Sequence, residues 1–358
     1  MVSSVVLVTG GSGFLGQHIV KHLELFGTDL MEIRVLDLVP YQKRLNYDGS
    51  VPIRSFAGSI TNKEFVNRAC KGVDAVIHVA SLVDTHMFPN EKALYEINVK
   101  GTEIVLEACK ANNVPILVYC SSISVFVGYD EVKNGTEKTV PIPHKLMFEK
   151  YGTTKAKAQE IVLRANGDIL NNGKDVLRTC AILPLPMYGE LDQAFVYQYV
   201  QNLKGNYIFR LPRLGKMDAK VQICYVGNVA MMFVKAFEAM RRGEDIGGEY
   251  YYGADSTPVE TVPKLLQPYV QGTSADLASW YLPVWLLTVI FFLVYCVMAV
   301  IRPVKKINTQ FNIGGIRFMN HTFYVTYDKA KRQLGYKPVY DVQTAIKLSN
   351  VYYASLLQ

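Results

Sequence analysis

The sequence predicts an α/β protein built on a doubly wound parallel sheet, with a smaller second lobe and one apolar helix late in the chain. Three observations lead there. Short apolar runs alternate with helix-patterned segments through the first half. A glycine-rich turn directly follows the first run. A stretch without a single charge, 277–301, interrupts the second half.

Taken in order, "SVVLVTG" is a short apolar run ending in glycine, as a buried strand does. In "FLGQHIVKHLELFG", Phe14, Ile19, Leu23 and Phe26 recur at helical spacing, and Gly27 is a stop. "EIRVLDL" reads as a strand, "NKEFVNRAC" as a helix capped by Asn62, and "DAVIHVAS" as a strand. "ALYEINVKGTEIVLEACKANN" is a long helix and "PILVYCSS" another strand. Beyond residue 185 the alternation loosens. "FVYQYVQNL" and "VGNVAMMFVKAFEAM" read as helices and "GEYYYGAD" as a strand of a smaller lobe. The organisation expected is a dinucleotide-binding core over 1–185, a substrate lobe over 186–279, a membrane-embedded segment over 280–301, and a final part, 302–358, packing back on that lobe.

The chain has 358 residues, 50% of them apolar and 19% charged, ample for a sizeable core. The formal charge is +7, and it is unevenly placed. From Arg302 onward nine basic residues stand against Asp328 and Asp341, so 1–301 is neutral overall. A basic flank after an apolar segment suits an anionic membrane face, Arg302, Lys305 and Lys306 above all. No nucleic-acid partner is expected. The six cysteines are scattered without a CxxC, as buried reduced thiols are, which points to a body facing a reducing cytosol. Asn134 and Asn320 match the glycosylation pattern, which is idle in that compartment. His86 and His144 lack metal-like partners, and no metal site is expected.

In "TGGSGFLG", Gly10, Gly13 and Gly16 form a GxxGxxG turn between the first strand and the first helix. The first glycine permits the tight turn, the second lets a pyrophosphate approach backbone N–H groups, and the third lets helix and strand pack. Asp37 ends the second strand, where a carboxylate can bind both ribose hydroxyls of NAD and repel a 2′-phosphate. Lys43 and Arg44 come too late to favour NADP. The cofactor expected is therefore NAD, held by Gly10, Gly11, Ser12, Gly13, Phe14, Leu15, Gly16, Asp37, Ile60 and Ala80, with Tyr151 and Lys155 at its nicotinamide end.

"CSSISVF" puts Ser121 and Ser122 at the C-terminal end of a strand, where ligands of such sheets bind. "YGTTKAKAQEIV" puts Tyr151 and Lys155 four apart on a helix, hence on one face. Oxidising a secondary alcohol needs a base for the hydroxyl proton. A phenol must be brought down toward neutrality for this, at about 3–4 kcal/mol, and an ammonium one turn away acts in that direction. Ser122 can hold the substrate oxygen. Asn98 lies mid-helix against its propensity, which points to a buried polar role in the site. His78 reads as a satisfied core histidine.

These residues resemble those of the 3β-hydroxysteroid dehydrogenase/isomerase branch of the extended short-chain dehydrogenases, nearly end to end. "LVTGGSGFLGQ", "INVKGTEIVLEAC", "SSISV", the Tyr151–Lys155 spacing, "YVGNVA" and "KAKRQLGYKPVY" carry the likeness. It implies a Rossmann-type fold, NAD, and oxidation of a sterol 3β-hydroxyl by Tyr151 with Lys155 and Ser122; Asn98, from its place in the sequence, is the further catalytic candidate. A shift of the double bond from C5 to C4 can follow, for which Asp255 is the candidate acid/base. Relatives oxidise 4-carboxysterols with loss of carbon dioxide, and Arg210 and Arg213 are the cations such a substrate would need. A membrane-bound NAD-binding protein without catalysis has no need of Ser122, Tyr151 and Lys155 together. Three positions depart from the family pattern: Ser59 in place of Asp, Leu183 in place of Arg, and Ser256 in place of a second Asp. An oligomer is compatible with the sequence.

The segment from Pro283 to Ile301 is just long enough to span a bilayer as a helix, with Trp280 and Trp285 suited to an interface. Since "FYVTYDKAKRQLGYKPVY" is expected to return to the body, both flanks would lie on one side, and one-sided insertion is expected over a true span. The expected location is the endoplasmic reticulum membrane, with the body in the cytosol and a sterol or steroid as substrate.

Overall fold

A computed structural model of the chain describes residues 3–203, 213–214, 218–269, 281–303, 309 and 313–357. Arg210, Trp280, Lys305 and Lys306 lie outside the described residues, and Arg213 is described in its backbone alone.

The first half runs β1 (Ser4–Thr9), α1 (Phe14–Phe26), β2 (Leu30–Asp37), β3 (Ile53–Ala57), α2 (Lys63–Ala69), β4 (Ala75–His78), α3 (Glu91–Tyr95), α4 (Gly101–Ala111), β5 (Ile116–Cys120), β6 (Val132–Gly135) and α5 (Glu149–Arg164). The second runs β7 (Arg178–Pro184), β8 (Met187–Tyr188), α6 (Phe195–Leu203), β9 (Arg213–Leu214), β10 (Cys224–Tyr225), α7 (Val226–Arg241), β11 (Tyr250–Gly253) and α8 (Val262–Leu266). It ends with β12 (Tyr281–Leu282), α9 (Val284–Ile301), α10 (Ile313–Met319), β13 (Phe323–Val325), α11 (Asp328–Gln333) and α12 (Val342–Leu357).

Seven strands form one parallel sheet in the order β11-β7-β5-β4-β1-β2-β3. The order reverses between β1 and β4, which opens a crevice at the C-terminal ends of the strands. β1, β4 and β5 are buried throughout, as their unbroken apolar runs require in a sheet covered on both faces. The edge strand β11 is not left bare. The Tyr252 N–H donates to Glu137 Oε1 at 3.1 Å, and Lys329 Nζ donates to the Tyr250 carbonyl at 2.7 Å.

The boundary expected at residue 185 cuts through this sheet. β11, assigned by the sequence to the substrate lobe, pairs with β7 in register Tyr251↔Ile182. α7 packs on α1 and is buried along nearly its whole length, from Val226 to Met240 with Lys235 the exception. A helix this largely apolar is interior, and this one packs on α1 behind the glycine turn.

Asp255, expected as an acid/base, is drawn into the fold's own bonding instead. Its buried carboxylate accepts from the N–H groups of Tyr225 and Thr257 and from Asn228 Nδ2, each at 2.9 Å. Asn228 in turn exchanges hydrogen bonds with both backbone groups of Tyr340. One carboxylate thus ties the end of β11 to the start of α7 and to the C-terminal segment. It lines a cavity of about 280 Å³ with Ser256, Tyr327 and Lys331, a set that includes none of Ser122, Tyr151 and Lys155.

α9 is 18 residues long, about 27 Å, and lies against the body along one stripe. Leu287 and Met298, three turns apart, are buried, while Trp285, Phe292, Leu293, Val297 and Val300 are exposed. Before α9, β12 pairs with β9. After it, the Thr309 carbonyl accepts from the Met87 N–H at 3.0 Å, and β13 pairs with β6. The chain after α9 therefore rejoins the body.

Asp255→Ala would leave three donors without their acceptor, two of them backbone N–H groups. The expected loss is ~3 kcal/mol of folding stability, read from the urea midpoint at unchanged slope.

Candidate active site

The glycine turn is built as the spacing requires. Gly10 leaves β1 at φ +73°, and a Cβ there would stand 2.7 Å from the Ala80 nitrogen. A Cβ on Gly16 would stand 2.1 Å from the Gly10 carbonyl oxygen, so only glycine lets α1 pack this close. Gly13 caps α1 with no side chain over the first-turn N–H groups. The Asp37 carboxylate accepts from the backbone N–H of Ser12 at 2.9 Å and of Leu38 at 2.7 Å, which aims it across the mouth of the turn. Leu15 and Ile60 are buried beneath and Phe14 is half-buried, with Ile60 against Gly101. Ser59 bonds its hydroxyl to that of Thr61 at 2.8 Å.

The other half of the site hangs from β5 and α5. Lys155 is buried, and its Nζ donates to the Cys120 carbonyl at 2.6 Å, 4.5 Å from the Tyr119 ring centre. Burial brings its ammonium down from 10.5 to about 8, against a smaller opposing effect of Cys120. Tyr151, one turn earlier, is buried beside the Ser122 hydroxyl. Ser122 Oγ accepts from the N–H and hydroxyl of Ser124, at 3.2 and 2.9 Å. The Tyr151–Lys155 spacing predicts an acidified phenol. The protein matrix acts the other way: burial first, then Cys120, push Tyr151 above its ordinary value, and Ser122 pulls it back. The ammonium is spent on Cys120 rather than on Tyr151.

Asn98 sits in a π-helical turn, Glu96–Lys100, between α3 and α4. The extra residue of such a turn re-aims a side chain, and here it turns Asn98 inward. Its amide accepts from the Leu82 N–H at 2.7 Å and donates to the Leu82 carbonyl at 2.9 Å and to Thr154 Oγ1 at 3.1 Å. Thr154 Oγ1 donates to the Tyr151 carbonyl at 2.8 Å. In this arrangement Asn98 holds the Leu82 backbone and, through Thr154, the Tyr151 turn. Thr154 was missed by the sequence argument, and its hydroxyl inside a helix, one residue before Lys155, was the available signal.

His78 bonds through both ring nitrogens, to Thr9 Oγ1 at 2.7 Å and Thr102 Oγ1 at 3.0 Å. Burial, and then the Lys155 charge, bring it down to about 3, so it stays neutral. It is the satisfied core histidine that the sequence suggests. Thr9 precedes the glycine turn, and the Thr102 hydroxyl donates to the Asn98 carbonyl at 2.7 Å, so this histidine joins the two halves of the site. Ser121 Oγ is buried at the end of β5 with no hydrogen-bond partner among the described residues.

The uncapped helix start, the aimed carboxylate and the orphaned Ser121 hydroxyl along one sheet edge fit a bound dinucleotide. Residues 7–284 match the 3-beta hydroxysteroid dehydrogenase/isomerase family. The chain belongs to that family. Solved structures share the fold of this family member over nearly its whole length. MoeE5 in complex with UDP-glucuronic acid and NAD is 19% identical, with a TM-score of 0.70 over 98% of this chain and 99% of its own. The Thermus thermophilus UDP-glucose 4-epimerase complex with NAD is 21% identical, with a TM-score of 0.66 over 98% and 99%. An epimerase from Methanothermobacter thermautotrophicus is 17% identical, with a TM-score of 0.74 over 99% and 94%. Membership of that family supports an oxidoreductase, and the shared fold is one that two of these neighbours fill with NAD.

Two outcomes follow from the geometry. Gly16→Ala forces α1 away from the turn and is expected to weaken NAD binding at least about tenfold, measured by calorimetric titration. Lys155 is charged below about pH 8 when folded and below 10.5 when unfolded. Between these values the unfolded chain binds more protons, so this group makes stability rise with pH across the window. Stability curves of wild type and Lys155→Met should converge as pH climbs through it.

Proposed function

We propose that this chain oxidises the 3β-hydroxyl of a sterol or steroid to the 3-ketone, with NAD as hydride acceptor, at the cytosolic face of the endoplasmic reticulum membrane. The observation that carries the reading is the convergence of Tyr151, Lys155 and Ser122 at the end of β5, beside the glycine turn, in a member of this family. When bound, NAD supplies the hydride acceptor and a positive ring. Ser122 holds the substrate oxygen and shares its proton with Tyr151. The buried phenol is neutral at rest, and a cation beside it favours its ionised form. Lys155 keeps α5 on β5 and offers its remaining N–H donors to a ribose hydroxyl. Asp37 receives the other ribose.

The substrate class rests on family membership and on α9. MoeE5 was solved with a sugar nucleotide, but a water-soluble substrate gives no reason to carry a helix with ten large apolar side chains turned outward. α9 is the single helix among the described residues long and apolar enough to cross a membrane. The return of the chain to the body after α9, through Thr309 and β13, supports insertion from one side. All six cysteines are free, which agrees with a reducing cytosol around the body. With Asp255 held by three donors, oxidation without double-bond migration is the better supported outcome.

The test is incubation of the full chain with NAD and a panel of 3β-hydroxysterols, free and 4-carboxylated, scoring ketone, shifted alkene and carbon dioxide separately. Ketone alone is expected. Carbon dioxide from the carboxylated members would favour the decarboxylating reading, and turnover of UDP-sugars alone would overturn both. Tyr151→Phe should lower kcat by about 10²–10⁴-fold while NAD still binds.

A further inference from the structure

We propose that Phe88 is a positioning residue that couples lipid contact on α9 to the placement of Tyr151. The inference rests on the reading of α9 as a lipid-inserted helix beside an alcohol-oxidising site.

The loop 82–90, between β4 and α3, is held at three points. At its start, both backbone groups of Leu82 are bonded to the Asn98 amide. At its end, Asn90 caps α3 by accepting from the Ala93 N–H at 3.1 Å. Between them, Asp84 gathers the His86 N–H, the His86 ring and the Asn90 N–H, at 3.2, 2.7 and 2.7 Å. Residues 84–90 are therefore braced as one turn.

Its outer side is gripped by α9 and the chain after it. Phe88 stacks on Tyr295 with ring centres 5.1 Å apart, and the Arg302 guanidinium lies 4.8 Å from the Phe88 ring centre. The Met87 N–H donates to the Thr309 carbonyl. On the inner side, the remaining bond of the Asn98 amide goes to Thr154, and through it to the Tyr151 backbone. A short series of contacts thus runs from α9 through Phe88, the Asp84 turn, Leu82, Asn98 and Thr154 to the phenol's own helical turn.

Each link is of a kind that resists partial displacement. Asn98 is buried, and moving Leu82 would strip its amide of two partners inside the protein, where an unpaired polar group is costly. Asn98 also lies in the π turn, where the helical ladder is already irregular and the chain can follow the loop. The outer face of α9 suits a bilayer for a reason independent of these bonds. It is part of a run of 25 residues without charge, 277–301, followed at once by Arg302 and the basic C-terminal part. In water that face would seek other apolar surface, and the seat of Tyr295 on Phe88 would have to compete with it.

The test uses the full chain on phosphatidylcholine vesicles containing phosphatidylserine, followed by amide exchange and by turnover of a water-soluble secondary alcohol. In Phe88→Ala, exchange should quicken about tenfold at 84–90 and also at 96–100, and kcat should fall by a similar factor at unchanged NAD affinity. Phe88→Tyr keeps the ring and should restore both. Leu293→Asp with Val297→Asp, which makes the outer face polar, should reproduce the Phe88→Ala pattern. Loosening confined to 84–90, or a charged α9 that leaves 96–100 as in wild type, overturns the proposal. Exchange is read without turnover, so an absence of alcohol oxidation in the wild type would count against the proposed function and leave the coupling to be judged on exchange alone.

Discussion

Much of this molecule depends on one buried charge. Lys155 carries an ammonium into the core with no carboxylate to meet it among the described residues, and what meets it is the carbonyl at the end of β5, at 2.6 Å. A buried cation without a partner is among the costliest groups a protein can hold, so this contact fixes where α5 can sit. Tyr151 is one turn earlier on the same helix, so fixing Lys155 on Cys120 sets the phenol beside Ser122. The cost appears in the lysine itself, whose ammonium is brought down to about 8.

Around that contact the polar core forms a continuous string. Thr9 sits at the glycine turn, His78 joins it to Thr102, Thr102 reaches Asn98, and Asn98 reaches Thr154 and the Tyr151 turn. Every member is bonded, which is the condition under which a buried polar network stiffens a site instead of weakening it. The neutral state of His78 belongs to this logic, since a second cation near Lys155 would add repulsion in a medium that screens little. The half of the site that receives the cofactor and the half that holds the phenol are thereby kept in register through side chains, not through the sheet alone.

The remainder of the chain serves that edge of the sheet. β11 and α7 extend and back the sheet, and Asp255 ties both to the segment before α12. The chain returns to this body after α9, so the apolar surface of α9 is presented by an element anchored at its C-terminal side. An element so placed can bring the site up to a lipid surface without passing the enzyme body through it.

The sequence by itself determined whatever depends on neighbours a few residues apart. The glycine spacing after an apolar strand, the Tyr151–Lys155 interval on one helix face, the period of the first helices and the charge-free run 277–301 are all local patterns. Each has one reading because helix and strand geometry turn spacing directly into direction. The tertiary structure decided what depends on residues far apart in the chain. Whether "YYYG" joins the main sheet is set by β7, some seventy residues earlier. Asp255 looks equally suited to catalysis or to bonding until Tyr225, Asn228 and Thr257 close on it. Asn98 announces a buried polar role, but only the π turn and Leu82 show what its amide bonds. The direction in which Tyr151 is pushed could not be read from its lysine neighbour, because burial is a property of everything packed around a group, and that surrounding exists only once the chain has folded.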